Sequence, residues 1–539
     1  MRGMVVAPQP EAVEAGALAL KRGGNAVDAA IACAFTQGAV DPQMCGIAGF
    51  GSMQLYLPKR QVHLGIDFHA RCPAAVRPEM WQDRILGQAR DGFGFLLKGQ
   101  VNEIGYQAIG VPGSLKAYSE ALAEFGTMDL ADVMRPAIQF ARDGFRVRPH
   151  VHHIWTMDEG AFGRVSYHDR LRFSATARRI YFRPDGRVKH LGDIVQNPDL
   201  ATTLERIAKA GPDLFYKGEI AEAINADMKA NGGLLRIEDL KNYQTTRTTP
   251  LWGSYRGHKI ATNQPPGGGV QLLELLNIWE QFDLKALGHN APDYIRFLAE
   301  GMKLAAIDKD LFLGDPLFLD VPVVRLTDKS YARDLARRIR SGEKADVKRL
   351  AQPDPVAAES RNTTQVTVID GEGNCVTMTH TLGAPSGVIT DGLGFMYNGT
   401  MNVFDPRPGQ PGSLAPGKSR FSAMCPSIVF KGDEPFILIG APGGTYISLA
   451  VAQGIVNVVD FGMSMLEAVA APRFTATGNM IDVSNRIPRF VTDDVAAHGY
   501  TVARSYESYA FAGLHAIKIE NGKWSGGADP QRDGMALEV

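Results

Sequence analysis

The stretch NTTQVTVIDGEGNCVTMTHTLG, residues 362–383, constrains the fold more than any other part of this chain. Its runs QVTVID and CVTMTHT alternate, or nearly so, and read as strands. The GEGN between them is turn chemistry, so the segment closes into a β-hairpin. Pairing Asp370 with Cys375 across the turn sets Thr364 opposite Thr381, with Thr363 one step beyond. A slip of one residue still leaves the Thr381 hydroxyl beside the Thr363–Thr364 end. Threonine is also simply a good strand residue. By itself, then, the hairpin admits an ordinary hydroxyl-rich strand edge as well as a reactive site.

The surrounding sequence narrows the choice. The chain has 539 residues, enough to bury a large core without staples, and its 45% apolar and 21% charged content is that of a globular protein. A formal net charge of −1 argues against a polyanion-binding surface, so no nucleic-acid partner is expected. The five cysteines, Cys33, Cys45, Cys72, Cys375 and Cys425, are scattered without a CxxC and read as buried thiols of a reducing compartment. The N-terminal residues carry no apolar run of signal-peptide length, and nowhere are there 18 consecutive apolar residues. The expectation is a cytoplasmic protein with no membrane partner. His150, His152 and His153 lie close together but have no carboxylate or cysteine at ligand spacing, so no metal is expected. GIAGFG (46–51) precedes a strand and not a helix, which speaks against a dinucleotide, and no cofactor is expected.

Along the chain, residues 11–22 have helical spacing with a Gly23-Gly24 stop, and Asn25 with Asp28 makes a capping-box start for an apolar helix over roughly 26–40. Further helices are expected near 113–125, 129–142, 199–210, 217–231, 270–281 and 292–311, and again near 446–459 and 464–470. Strand signals stand at 250–262 and crowd the region after 364, which suggests α+β layers around central sheets. The Pro/Gly-rich loop 404–420 is expected at the surface without regular structure, bordering a site if it has a function. In LIGAPGGTYIS a strand runs into Gly443-Gly444 and then an apolar helix. Two such backbone amides at a helix start suit a developing oxyanion, although an ordinary strand-to-helix turn has the same sequence.

Taken together, GGNAVDAAIA (23–32), GVPGSLKAY (110–118), RPAIQFARDGF (135–145), FLGDP (312–316), the hairpin, FSAMCPSIV (421–429), GAPGGTYI (440–447) and EAVAAPRF (467–474) resemble the gamma-glutamyltransferase family of N-terminal-nucleophile hydrolases. The resemblance implies a four-layer αββα sandwich. It implies an inactive precursor that cuts itself between Asn362 and Thr363 into a large chain, 1–362, and a small chain, 363–539, which stay associated. Thr363 would be the nucleophile, Thr381 its orienting partner, and Gly443 and Gly444 the oxyanion donors. The chemistry is coherent. An internal threonine has no base of its own, whereas a terminal one has an α-amine of pKa roughly 7.7–8.0. The implied partners are a small-molecule amide and an amine or water acceptor.

The resemblance also marks departures. His69, in DFHARCP, stands where family members hold a substrate carboxylate with Arg, and Arg71 follows two residues later. A Ser-Ser pair becomes Ser422-Ala423, an Asn becomes Gly383, a Gln becomes Thr400, and the amine-binding Asp becomes Val403. Three readings follow. The chain is a threonine amidohydrolase or acyltransferase for an acyl group other than γ-glutamyl. Or it keeps glutathione-type activity through Arg71 and Ser422. Or it is an uncut, non-enzymatic binding paralogue.

Overall fold

The computed structural model describes residues 1–92, 94–158, 164–350, 363–505, 507 and 510–539. The hairpin lies at the centre of a seven-stranded antiparallel sheet. From edge to edge the strands are Met535–Glu538, Gly3–Ala7, Thr364–Asp370, Cys375–Thr381, Phe50–Leu57, Val62–Phe68 and Thr246–Thr248. A second antiparallel sheet runs Lys523–Ala528, His515–Glu520, Glu434–Gly440, Ser427–Lys431, His258–Thr262 and Leu251–Tyr255. Met4, Val6 and Ile369 of the first sheet pack with Ile428, Leu438 and Ile517 of the second, so the sheets stack face to face.

The outer face of each sheet is covered by helices. Val5, Val366, Val368 and Met378 meet the helices Pro10–Lys21 and Ala26–Val40 in one core. Ile260, Val429, Ile437 and Ile439 meet Gly269–Trp279, Pro292–Phe312 and Ile447–Val459 in another. The result is the four-layer αββα sandwich. Strands from before and after residue 363 are hydrogen-bonded to one another in both sheets: Gly3–Ala7 pairs with Thr364–Asp370, and His258–Thr262 with Ser427–Lys431. A cut at this point would leave the two pieces joined by strand hydrogen bonds and three shared cores.

The second helix starts as its sequence specifies. The Asn25 side chain accepts from Val27 and Asp28 N–H, and Asp28 accepts from the Asn25 N–H at 2.7 Å, a reciprocal cap of the kind worth about 1 kcal/mol. All five cysteines are buried and none is disulfide-bonded. No helix among the described residues is long and apolar enough to cross a membrane.

The hairpin register differs by one residue from the sequence expectation. Ile369, not Asp370, pairs with Cys375, and Thr364 stands opposite His380. The cause is a three-residue loop in place of the four-residue one read from GEGN. Asp370 N–H donates to Asn374 O at 3.1 Å, and Gly373 takes the left-handed conformation at φ 81°. The Asp370 carboxylate then accepts from Glu372 N–H at 2.9 Å and Asn374 N–H at 3.1 Å, and also from Ala26 N–H at 2.9 Å. The turn is thereby locked to the N-terminus of the second helix, where a carboxylate is favoured.

Side-chain alternation now divides the threonines. Thr364 faces the helices, where its Oγ1 accepts from Gln37 Nε2 at 2.9 Å and Gln9 Nε2 at 3.2 Å. The carbonyl of the Gln37 side chain accepts from His380 Nε2 at 2.8 Å, so His380 Nδ1 accepts from the Tyr118 hydroxyl at 2.6 Å. Thr363 and Thr381 instead share the face between the sheets with Gln365, Thr367 and Thr379. There Gln365 binds Thr377 at 2.8 Å and Thr379 at 2.6 Å, and Gly440 leaves the room a Cβ would take from the Gln365 amide.

Both ring nitrogens of His380 are committed in its neutral form, and burial lowers its pKa to about 3 from the ordinary 6.5. The unfolded chain therefore binds a proton that the native state refuses. The stability this confers is fully present above pH 6.5 and is lost as pH falls toward the native pKa of about 3. Denaturant melts of His380→Gln between pH 4 and 6 should show a stability slope about 1.4 kcal/mol per pH unit shallower than wild type. An unchanged slope would mean that His380 is not buried neutral.

Candidate active site

Thr363 and Thr381 are drawn together by the register just described. The Thr363 hydroxyl donates to Thr381 Oγ1 at 3.1 Å, and Thr381 Oγ1 also accepts from Gly383 N–H at 2.8 Å. Both threonines are nearly sequestered, at 4% and 3% exposure. Thr363 has φ 93°, a region a β-branched residue enters at a cost of about 1–3 kcal/mol. Arg532, itself buried, reaches to 3.5 Å from the Thr363 carbonyl. Asn362, the expected residue before the cut, lies outside the described residues.

The threonine pair opens into a cleft of about 210 Å³, which Gly383, Ser422, Ala423, Val403 and Gly444 also line. Gly443 and Gly444 form the turn ahead of the helix Ile447–Val459, with φ 142° and 55°. A Cβ at Gly443 would stand 2.3 Å from that of Ala512, so only glycine fits there. Neither glycine amide has an acceptor among the described residues. Ser422 is fixed through its N–H, which donates to Pro266 O at 2.8 Å, while Gly268 N–H donates to Met424 O at 2.9 Å. The PPGGGV turn thus braces this wall of the cleft.

Two of the expected substrate-binding residues lie elsewhere. His69 and Arg71 line a neighbouring depression of about 550 Å³ with Tyr243 and Asp315, and Thr363 does not reach it. The Arg71 guanidinium lies 5.6 Å from the centre of the Tyr243 ring and donates to Gln244 O at 3.2 Å. His69 Nε2 is 3.4 Å from Asp67 Oδ1. Burial, with the charges of Arg420 and Arg71 adding to it, lowers His69 to about 3, and burial raises Asp67 to about 7. His69 is therefore a neutral ring and not an anion-binding cation at neutral pH. Thr400 is also outside the cleft lining, buried against Gly110.

Other cleft residues escaped the sequence reading. The loop 404–420 is not merely surface chain: Asp405 N–H donates to Gly412 O at 2.8 Å, and Asp405, Arg407, Gln410 and Arg420 line the cleft. Asp405 binds Arg407 at 2.7 Å. Asp310 pairs with Lys309 and Arg349, whose charges outweigh its burial and hold it below the ordinary carboxylate range. Among the described residues lining this cleft there is no histidine, and neither carboxylate hydrogen-bonds Thr363. Among the described residues the hydroxyl has no side-chain base at hand.

A hydroxyl pair in a cleft that Gly444 also lines, with no side-chain base hydrogen-bonded to Thr363 among the described residues, suits a nucleophile whose base comes from its own backbone amine. A family model described as gamma-glutamyltranspeptidase matches residues 12–539. The chain belongs to the gamma-glutamyltranspeptidase family. It is 37% identical over 545 residues to the Acylase ACY 1 proenzyme of Pseudomonas sp. (strain SE83), which takes in 100% of this chain and 94% of that protein. The glutathione hydrolase proenzyme of Escherichia coli (strain K12) is 35% identical over 487 residues, 88% of this chain and 80% of that one. Among solved structures, the cephalosporin acylase from Bacillus halodurans superposes with a TM-score of 0.85 at 26% identity, over 99% of this chain and 95% of its own. This gamma-glutamyltranspeptidase-family chain is therefore an enzyme of the hydrolase and acyltransferase kind. Its relatives include both glutathione hydrolases and acylases, so family membership leaves the acyl group open.

Thr381→Val removes the hydroxyl that accepts the Thr363 hydrogen bond while keeping side-chain volume. Steady-state turnover should fall roughly 10-fold or more, the worth of one buried hydrogen bond, with the fold retained. Wild-type turnover in this variant would show that Thr381 does not position the nucleophile.

Proposed function

We propose that this protein is a self-processing threonine amidohydrolase that transfers, by way of Thr363, an acyl group lacking the α-amine of γ-glutamate. The Thr363 hydroxyl first attacks the Asn362 carbonyl, and the Asn362–Thr363 peptide bond becomes an ester. Water opens that ester, leaving a carboxylate on Asn362 and a free α-amine on Thr363. The strain at Thr363 favours a step that releases its backbone from the preceding residue.

In turnover the α-amine takes the proton of the Thr363 hydroxyl as its oxygen bonds to the substrate carbonyl carbon. The Gly443 and Gly444 amides receive the oxyanion, and Thr381 holds the attacking oxygen. The amine then returns the proton to the leaving nitrogen as the C–N bond breaks, giving an acyl-enzyme. Water, deprotonated by the same amine, releases the acid; an amine acceptor in its place gives transfer. The observation that carries this reading is the Thr363–Thr381 hydroxyl pair in a cleft whose described lining has no histidine and no carboxylate hydrogen-bonded to Thr363.

The acyl preference is supported by Val403, which lines the cleft where the family resemblance calls for an aspartate. An ammonium buried there without a carboxylate partner would cost several kcal/mol. Glutaryl- and γ-glutamyl-p-nitroanilide differ only by that amine. The glutaryl compound should be the better substrate by at least about 10-fold in kcat/KM, the effect of about 1.4 kcal/mol. Faster turnover of the γ-glutamyl compound would favour the glutathione-type reading instead.

A further inference from the structure

The depression beside the Thr363 cleft has an electrostatic character of its own. Its described lining holds three carboxylates, Asp67, Asp315 and Asp320, against one guanidinium, that of Arg71. The Thr363 cleft has the opposite balance, with five Lys and Arg side chains against Asp310 and Asp405. An organic cation is therefore repelled by one hollow and attracted by the other.

The charged groups of the depression differ in what engages them. Asp315 braces the chain: its carboxylate accepts from Leu317 N–H at 3.0 Å and from Ser419 N–H at 2.8 Å. Asp320 is at the exposed rim. The Arg71 guanidinium lies against the Tyr243 ring and donates to Gln244 O. Asp67, at the end of the strand Val62–Phe68, accepts the His69 N–H at 2.9 Å, and among the described residues it pairs with no lysine or arginine. His69 beside it is 5% exposed, and its Nε2 has no hydrogen-bond partner among the described residues; the 3.4 Å approach to Asp67 Oδ1 does not make one. A buried ring nitrogen without a partner is uncommon, and a neutral imidazole can accept through one nitrogen. Asp67 and His69 thus offer a ligand two neighbouring acceptors. Leu317, Leu319, Val321 and Val323 line the same depression, and Leu317 is 77% exposed. Its volume of about 550 Å³ falls in the range of about 300–1,000 Å³ usual for small-molecule sites.

We propose that this depression is a second ligand site, separate from the Thr363 cleft, that binds a primary organic ammonium with an apolar body. The ammonium donates to Asp67 and His69, and the body rests on the Leu317 and Val321 side of the hollow. Thr363 does not line the depression, so the inference is independent of the acyl group that the enzyme transfers. The groups around Asp67 are His69, Arg71, Tyr243, Asp315 and Asp320. Burial, with Asp315 adding to it, raises Asp67 to about 7 against the opposing pull of the His69 N–H and Arg71. Burial holds His69 neutral and Tyr243 protonated at neutral pH, so Asp67 sets the pH dependence of this site. A bound cation favours the Asp67 carboxylate, and binding releases a proton.

Calorimetric titration of the whole protein with 2-phenylethylammonium and with 2-phenylethanol, which differ only in the charged group, tests this. The ammonium should bind at least about 10-fold more tightly than the alcohol. Its affinity should rise about 10-fold from pH 6 to pH 8, as Asp67 ionises through about 7. Asp67→Asn should remove both the preference and the pH dependence. Leu317→Arg, at an exposed position, sets a cation at the rim without touching the strand that carries Asp67, and should weaken ammonium binding by roughly 5-fold or more. Equal affinity for the two probes, or no saturable binding of the ammonium, would overturn the proposal. So would ammonium binding of wild-type strength in either folded variant, since the cation would then lie elsewhere.

Discussion

The structure depends on the register of one hairpin. With Ile369 opposite Cys375, Thr363 and Thr381 share a face and their hydroxyls meet at 3.1 Å. A one-residue slip would turn every side chain of the Thr364–Asp370 strand to the other face and bury Thr363 among helices. Several contacts oppose that slip. Asp370 ties the turn to the second helix, Thr364 is held by Gln9 and Gln37, and Gln365 is held by Thr377 and Thr379. The two adjacent threonines thus divide the work: the second anchors the strand, and the first meets the cleft.

Charge follows from this arrangement. The cleft carboxylates are paired with Lys309, Arg349 and Arg407, and neither hydrogen-bonds Thr363. The proposed oxyanion donors belong to a turn in which only glycine fits against Ala512. The remaining requirement is a proton acceptor, and under the proposed self-cleavage a threonine at a new N-terminus would supply it from its own backbone. The fold accommodates a cut at that point because strands from both sides of residue 363 are hydrogen-bonded to one another in each sheet.

Local features were legible in the sequence, and long-range ones were not. The capping box at Asn25 fixed the start of a helix that runs Ala26–Val40 as expected. The hairpin was legible from alternation and turn residues, but its register was missed by one because Asp370 closes the loop with its side chain. Thr363, Thr381, Gly383 and Ser422 do come together in one cleft. Arg71 and His69 do not join them, because Tyr243, Gln244 and Asp67 hold them in the adjoining depression. Lys309, Arg349, Arg407 and Arg420 come from three separate segments, and only the tertiary fold brings them to one cleft.

The central claim is that Thr363 becomes the N-terminus of its own chain. Intact-mass spectrometry of the purified protein under denaturing conditions measures this directly. The account predicts two chains, the smaller starting at Thr363 and extending to Val539. A single stable chain of 539 residues would leave Thr363 without a free amine and contradict the account.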